Sequence, residues 1–126
     1  MSNEVPVSKA DGYLPVPSVW RKTIHDIVEA FREQDFVLAR SVPDVAPVSR
    51  NEAIRFAEYI EDYGDELDEL PDETWETSVC ERVADFWDVW VDLYTVNEGR
   101  SDMVLALRVR EAGNVYVFEV RSVYVP

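Results

Sequence analysis

The chain has 126 residues, with 12 Lys and Arg against 26 Asp and Glu, so its formal net charge at pH 7 is −14. A chain of this length forms one domain and is long enough to bury a hydrophobic core. Strong negative charge repels nucleic-acid phosphates and anionic lipids, so we expect neither direct nucleic-acid binding nor membrane binding. The same charge favours a basic protein as partner.

The cysteine and histidine counts exclude several chemistries. Cys80 is the only cysteine and His25 the only histidine, which excludes an intrachain disulfide and a His-rich metal site within one chain. The N-terminus lacks the basic and apolar regions of a signal peptide, and no apolar run approaches the roughly 20 residues of a membrane span. We therefore expect a cytoplasmic protein.

The N-terminal segment 1–17 is predicted to be an irregular leader. Pro6, Pro15 and Pro17 oppose both a helix and a central strand over this stretch. The pattern changes at the end of the leader, and we find neither an internal repeat nor a linker to a second domain further on. The remaining residues, 18–126, are predicted to form a single α+β domain.

Two helices are predicted in the first half of the chain. The first begins at Pro17 or Ser18 and carries apolar residues at helical spacing, namely Trp20, Ile24, Ile27, Val28 and Phe31. The second follows a capping box formed by Ser49 and Glu52, and Gly64 is its predicted C-terminal stop.

The last third of the chain predicts β-strands. Residues alternate between apolar and mixed character over 89–96, 103–110 and 115–125, with a glycine in each intervening turn. A further strand over 77–82 is one alternative for the preceding segment, while 83–87 equally suits a helical turn. The predicted fold is therefore α+β, with two N-terminal helices packed on a C-terminal antiparallel β-meander of three to five strands.

The two faces of this meander are predicted to differ. One face packs against the helices, whereas the other is partly exposed to solvent. We expect four aromatic residues on the solvent side, beside charged residues: Trp90, Tyr94, Tyr116 and Tyr124.

The strongest local signal is an acidic tract, which we define as residues 56–81. It contains eleven carboxylates and neither Lys nor Arg. Carboxylates beside large aromatic side chains are typical of a surface that docks a basic partner, and a merely solvated face is the alternative. The predicted partner-binding residues are Glu61, Asp62, Tyr63, Asp65, Glu66, Asp68, Glu69, Asp72, Glu73, Trp75 and Glu76.

Metal binding and catalysis receive little support from the residue pattern. An EF-hand frame starting at Asp62 places Gly64 at position three and Leu67 at position six, where an oxygen ligand and a glycine are required. Cys80 and His25 are interpreted as a buried strand thiol and a helix-surface imidazole. Phosphate-binding glycine motifs are absent from the sequence. We expect no dedicated metal site, no cofactor and no enzymatic activity.

Four segments carry a resemblance to known proteins: YGDELDELPDETW at 63–75, VDLYT at 91–95, EGRSD at 98–102 and VYVP at 123–126. They are similar to a family of small uncharacterised acidic bacterial proteins, and this resemblance implies no catalytic residues. In size and acidity the chain also resembles the immunity proteins of bacterial toxin systems and phage-type anti-defence inhibitors.

These observations predict a stoichiometric inhibitor. The first hypothesis is a bacterial immunity protein that neutralises a basic, nucleic-acid-directed effector by presenting carboxylates where phosphates would bind. The alternatives are an anti-defence inhibitor that mimics nucleic acid, as anti-CRISPR proteins do, and a small-ligand or enzyme domain with a pocket that the sequence does not reveal. An acidic housekeeping domain, in which the charge only confers solubility, is a further alternative.

Overall fold

A computed structural model describes residues 4–39 and 41–126. Its helices are α1 (Ser18–Arg32) and α2 (Arg50–Tyr63), followed by a 3₁₀ helix (Asp72–Glu76). Its strands are β1 (Tyr13–Pro15), β2 (Val79–Val83), β3 (Phe86–Thr95), β4 (Gly99–Ala112) and β5 (Val115–Tyr124). The strands form one antiparallel sheet in the order β1-β2-β3-β4-β5. The predicted α+β architecture, with two helices ahead of a meander, is confirmed.

One face of the sheet carries the hydrophobic core, and α1 covers it. Inward side chains alternate along β3 and meet their counterparts on β4, as in the register pairs Trp87↔Val109 and Val89↔Leu107. The Trp20 ring of α1 lies edge-to-face on Trp87, with ring centroids 5.3 Å apart. Since the apolar stripe of α1 matches this inward face, the two bury each other's surface.

The prediction of an irregular leader is wrong for Tyr13–Pro15, which forms β1. This strand pairs antiparallel with β2 at the edge of the sheet, where prolines are tolerated because one side of the strand needs no donors. The neighbouring Val16 is fully buried in the core. The Trp87 indole also donates a hydrogen bond of 2.9 Å to the Ser8 carbonyl, so the segment before β1 is bonded to the sheet.

The alternative that was open for residues 77–87 is decided in favour of strands. β2 covers Val79–Val83, and Ala84 takes a left-handed φ of 52° in the turn that leads into β3. Among the described residues no helix is both long and apolar enough to cross a membrane.

The outer face of the sheet is mixed, as predicted, although Tyr94, one of the aromatic residues expected on its solvent side, is buried. Arg108 of β4 pairs with Asp88 of β3 at 3.3 Å and lies 3.9 Å from the centre of the Phe86 ring. Tyr116 was expected on this face, and that prediction is wrong. Tyr116 packs instead against Trp20 on the covered face, with ring centroids 5.5 Å apart, because it shares the alternation of the inward Phe118.

Candidate functional site

Residues 66–68 of the acidic tract run along β3 beyond Trp90, where its pairing with β2 stops. The backbone amide of Asp68 donates to the Tyr94 carbonyl at 2.8 Å, and the Val96 amide donates to the Glu66 carbonyl at 2.9 Å. Between them, Leu67 forms an isolated bridge with Thr95 and its side chain is buried. The tract backbone is therefore tied to the sheet by hydrogen bonds, and its leucines anchor it in the core.

The carboxylates between these anchors point outward. Leu67 and Leu70 are buried, and the Thr74 hydroxyl donates to the Asp92 carbonyl at 2.7 Å. Exposure is high for most of the predicted partner-binding residues, namely Glu61, Asp62, Glu66, Asp68, Glu69, Asp72, Glu73 and Glu76. The structure therefore displays these eight carboxylates along one continuous segment.

Asp65 differs from the other carboxylates because it organises its own loop. Its side chain accepts hydrogen bonds from the Asn97 amide group at 2.8 Å and from the Glu66 backbone at 2.9 Å. The nearby Thr95 hydroxyl, followed by Asn97, holds the pKa of the Asp65 carboxyl below its usual range. Asp65 is thus a fixed anion that joins the tract to the β3–β4 turn.

The two aromatic residues of the predicted site make contacts within the chain. The Tyr63 hydroxyl donates to the Glu98 carboxylate, which raises the pKa of Tyr63, and it accepts from the Asp102 backbone amide at 3.1 Å. Trp75 packs against the core, and the Arg21 guanidinium lies 5.4 Å from the centre of its ring. Both rings are half-buried, and their role as partner anchors stays a prediction.

A cleft of about 660 Å³ opens beside the acidic tract, where the C-terminal ends of the two helices meet it. Its apolar lining comes from Phe31, Phe36, Ala57, Ile60 and Leu67. Its polar lining comes from Arg32, Gln34, Glu61, Asp65, Glu66 and Asn97. Sequence analysis missed the cleft because these residues come from three separate stretches of the chain, 31–36, 57–67 and 97, and only the second lies in the acidic tract.

Cys80 and His25 have different surroundings. Cys80 is buried on β2, and this burial raises the pKa of its thiol to about 11, so the reactive thiolate form is disfavoured. His25 is half-buried on α1, and its ring faces Asp26 and Glu69. The interpretation of these residues as a buried thiol and a helix-surface imidazole is therefore confirmed.

One group of side chains offers metal-ligand atoms. His25, Glu29 and Glu69 each present one such atom, and these atoms lie within 4.8 Å of one another. His25 and Glu29 are four residues apart on α1, a spacing that the sequence shows. Glu69 is forty residues further along the chain and comes close to them only in the folded structure. Sequence analysis therefore did not assemble this group.

A comparison with protein families places this chain in a family. A model described as a domain of unknown function, DUF7668, matches residues 28–126. The chain belongs to this family. This agrees with the predicted resemblance to an uncharacterised family. That the family is acidic and bacterial stays a prediction. Searches of curated proteins and of solved structures gave no significant match.

Proposed function

We propose that this protein is a stoichiometric inhibitor or immunity protein, in which the acidic tract docks on a basic protein partner. The observation that supports it most is the way the tract is built. Its backbone is hydrogen-bonded through Asp68 and Glu66 to Tyr94 and Val96, at the end of β3, while neighbouring carboxylates remain exposed. A preorganised row of charges loses little conformational entropy when it binds.

The tract concentrates negative charge, and few of its carboxylates are paired with a basic side chain among the described residues. Residues 56–81 contain neither Lys nor Arg, and the nearby Arg32 is already engaged by Glu29 at 2.8 Å. Like charges held this close repel one another and cost stability in the free protein. A basic partner relieves that repulsion and is steered to the surface, so the arrangement favours fast association.

The cleft beside the tract adds an apolar component. Tight protein interfaces combine a buried apolar anchor with a polar rim. Here Phe36 and Ile60 contribute to the apolar lining, while Glu61 and Glu66 supply negative charge around it. The matching partner therefore presents one large apolar side chain surrounded by Lys or Arg.

A small-ligand domain is the second candidate, and the cleft is the observation that favours it. A volume of about 660 Å³ lies within the usual range for small-molecule sites. Asp65 lines this cleft, and its lowered pKa makes it an acceptor of hydrogen bonds rather than a proton donor. Ligand binding therefore fits this cleft better than acid catalysis through Asp65.

The test uses two variants with the same change in net charge. In the tract variant Glu66, Glu73 and Glu76 are replaced by Lys; these side chains are exposed, and Asp65 is kept because it holds its loop together. In the control variant Asp11, Asp85 and Glu111, which are exposed outside the tract, are replaced by Lys. Circular dichroism checks that both variants fold.

The wild type, the control variant and the tract variant are each used to capture partners from lysate of the source organism. Mass spectrometry identifies the retained proteins. Each is then purified, and its binding is measured by surface plasmon resonance. We expect one basic protein that binds one-to-one, associates more slowly with the tract variant than with the control, and loses affinity as salt rises. Equal binding by the two variants, or retention of no basic protein by the wild type, contradicts the proposal. A toxin or nuclease gene beside this one would favour an immunity protein over an anti-defence inhibitor.

A further inference from the structure

We propose that His25, Glu29 and Glu69 bind one divalent transition-metal ion of the zinc class, which joins α1 to the acidic tract. Its ligand Glu69 also belongs to the acidic tract, but its test involves none of the residues replaced in the docking test.

The geometry of the three ligands fits such an ion. His25 and Glu29 are four residues apart and therefore lie on the same side of α1. Glu69 approaches from the tract, with its Oε2 atom 3.9 Å from the His25 Nε2 atom. Two ligand atoms on a tetrahedral zinc ion are about 3.4 Å apart, given metal–ligand distances of about 2.1 Å. Small side-chain rotations therefore bring all three ligands to the ion.

A second observation concerns the other nitrogen of the imidazole. The His25 Nδ1 atom lies 3.5 Å from Asp26 Oδ1, and Asp26 is itself held by Lys22 at 2.7 Å. A carboxylate beside Nδ1 keeps the imidazole proton on that nitrogen and leaves Nε2 free to bind a metal. Here that arrangement directs the Nε2 lone pair toward Glu69.

Arg32 weakens the proposed metal site but does not prevent Glu29 from binding an ion. Its Nη1 atom donates to both Glu29 carboxylate oxygens, at 2.9 and 2.8 Å. Each carboxylate oxygen has a second lone pair, so Glu29 can still bind an ion. The positive charge of Arg32 weakens the attraction for a cation, and replacing Arg32 should therefore tighten binding.

The donor set selects the class of metal. One imidazole nitrogen with two carboxylates suits zinc, cobalt, nickel and copper. Calcium and magnesium prefer oxygen ligands throughout, and calcium takes six to eight of them. Three protein ligands also leave a fourth tetrahedral position for water or for a group from a partner.

The test is a ZnCl₂ titration of the chelator-treated full chain in excess Mg²⁺, which occupies unspecific carboxylate sites. Calorimetry reports stoichiometry and affinity. The imidazole NMR signals report on the ligand without ambiguity, because His25 is the only histidine. We expect one Zn²⁺ per chain and a shift of the His25 signals on binding.

Matched variants separate this site from unspecific binding to acidic residues. H25Q and E69Q should lower the affinity at least as much as D26N, for which we expect a loss of about 10–100-fold. R32Q should raise the affinity, and the control E58Q, an exposed tract carboxylate outside the predicted partner-binding residues, should leave it unchanged. Circular dichroism checks the fold of every variant. Unchanged affinity in H25Q, or imidazole signals that do not move, would mean an adventitious ion only and would overturn the proposal.

Discussion

The two helices obtain their stability in different ways. α1 has six buried residues, and its N-cap residue Pro17 makes no capping hydrogen bond with its side chain. α2 is almost as long but has three buried residues. The Ser49 hydroxyl caps its start, and Gly64 ends it with a left-handed φ of 88°. Packing therefore defines α1, whereas local signals define α2.

This difference matters for the candidate site, because the C-terminal ends of both helices line the cleft. Phe31 of the more buried helix α1 and Ile60 of the more exposed helix α2 both line it. Ile54 and Tyr59 of α2 remain exposed, although the Tyr59 hydroxyl accepts a hydrogen bond of 2.9 Å from the Val125 amide. One wall of the cleft is thus part of the core, and the other depends on how well α2 is capped.

The largest effect should come from truncating the central residue of α1. Trp20 is fully buried and packs edge-to-face on Trp87, Tyr116 and Phe118. Trp20→Ala should lower the free energy of unfolding by about 3–5 kcal/mol, because it removes this contact area and leaves a cavity. Urea denaturation followed by circular dichroism measures it.

Trp20→Phe is the matched control for this prediction. The Trp20 indole nitrogen is buried and has no hydrogen-bond partner among the described residues, so phenylalanine loses ring area but no hydrogen bond. We expect a smaller loss of stability than for alanine. Equal losses in the two variants would show that the edge-to-face packing is not what stabilises α1.

An intermediate effect should follow from removing the cap of α2. The Ser49 hydroxyl accepts a hydrogen bond of 3.2 Å from the Glu52 backbone amide and donates one of 3.0 Å to the Glu52 carboxylate. Ser49→Ala should cost about 0.5–2 kcal/mol of unfolding free energy, whereas Ser49→Asp should retain most of it. Thermal and urea melts of the two variants make the comparison, and an alanine variant as stable as wild type would contradict it.

The smallest effect should come from the exposed ion pair on α1. Lys22 contacts Asp26 at 2.7 Å, and the Lys22 side chain is 85% exposed. Solvent screens such a pair, so Lys22→Ala should change the unfolding free energy by less than about 0.5 kcal/mol. Urea melts at low and high salt check this. A larger loss would mean that the polar side of α1 also contributes to its stability.

The sequence was a good guide wherever a signal was local or periodic. The capping box at Ser49, the stop at Gly64 and the alternation along β3 to β5 all predicted elements that the structure contains. The apolar stripe of α1 was equally readable, because a helix that covers a sheet must repeat its apolar residues every turn.

The rest depends on contacts between distant residues. β1 has three residues, the last of them Pro15, and it lies between Gly12 and Pro17, so nothing local distinguishes it from a loop. Its strand character arises from pairing with β2, more than sixty residues further along the chain. The acidic tract was recognised from composition alone, but the role of Asp65 in its loop and the approach of Glu69 to His25 required the fold.

The family match begins at residue 28, but the folded unit begins earlier. The segment before that position contributes Val16, Trp20 and Ile24 to the core, and it supplies β1 as the partner of β2. A chain shortened to 28–126 would leave β2 as an unprotected edge beside an uncovered apolar face. Such an edge is a template for pairing with other molecules, so the shortened protein would aggregate. For this chain, the boundary that sequence similarity marks and the boundary that completes the sheet and its core are different.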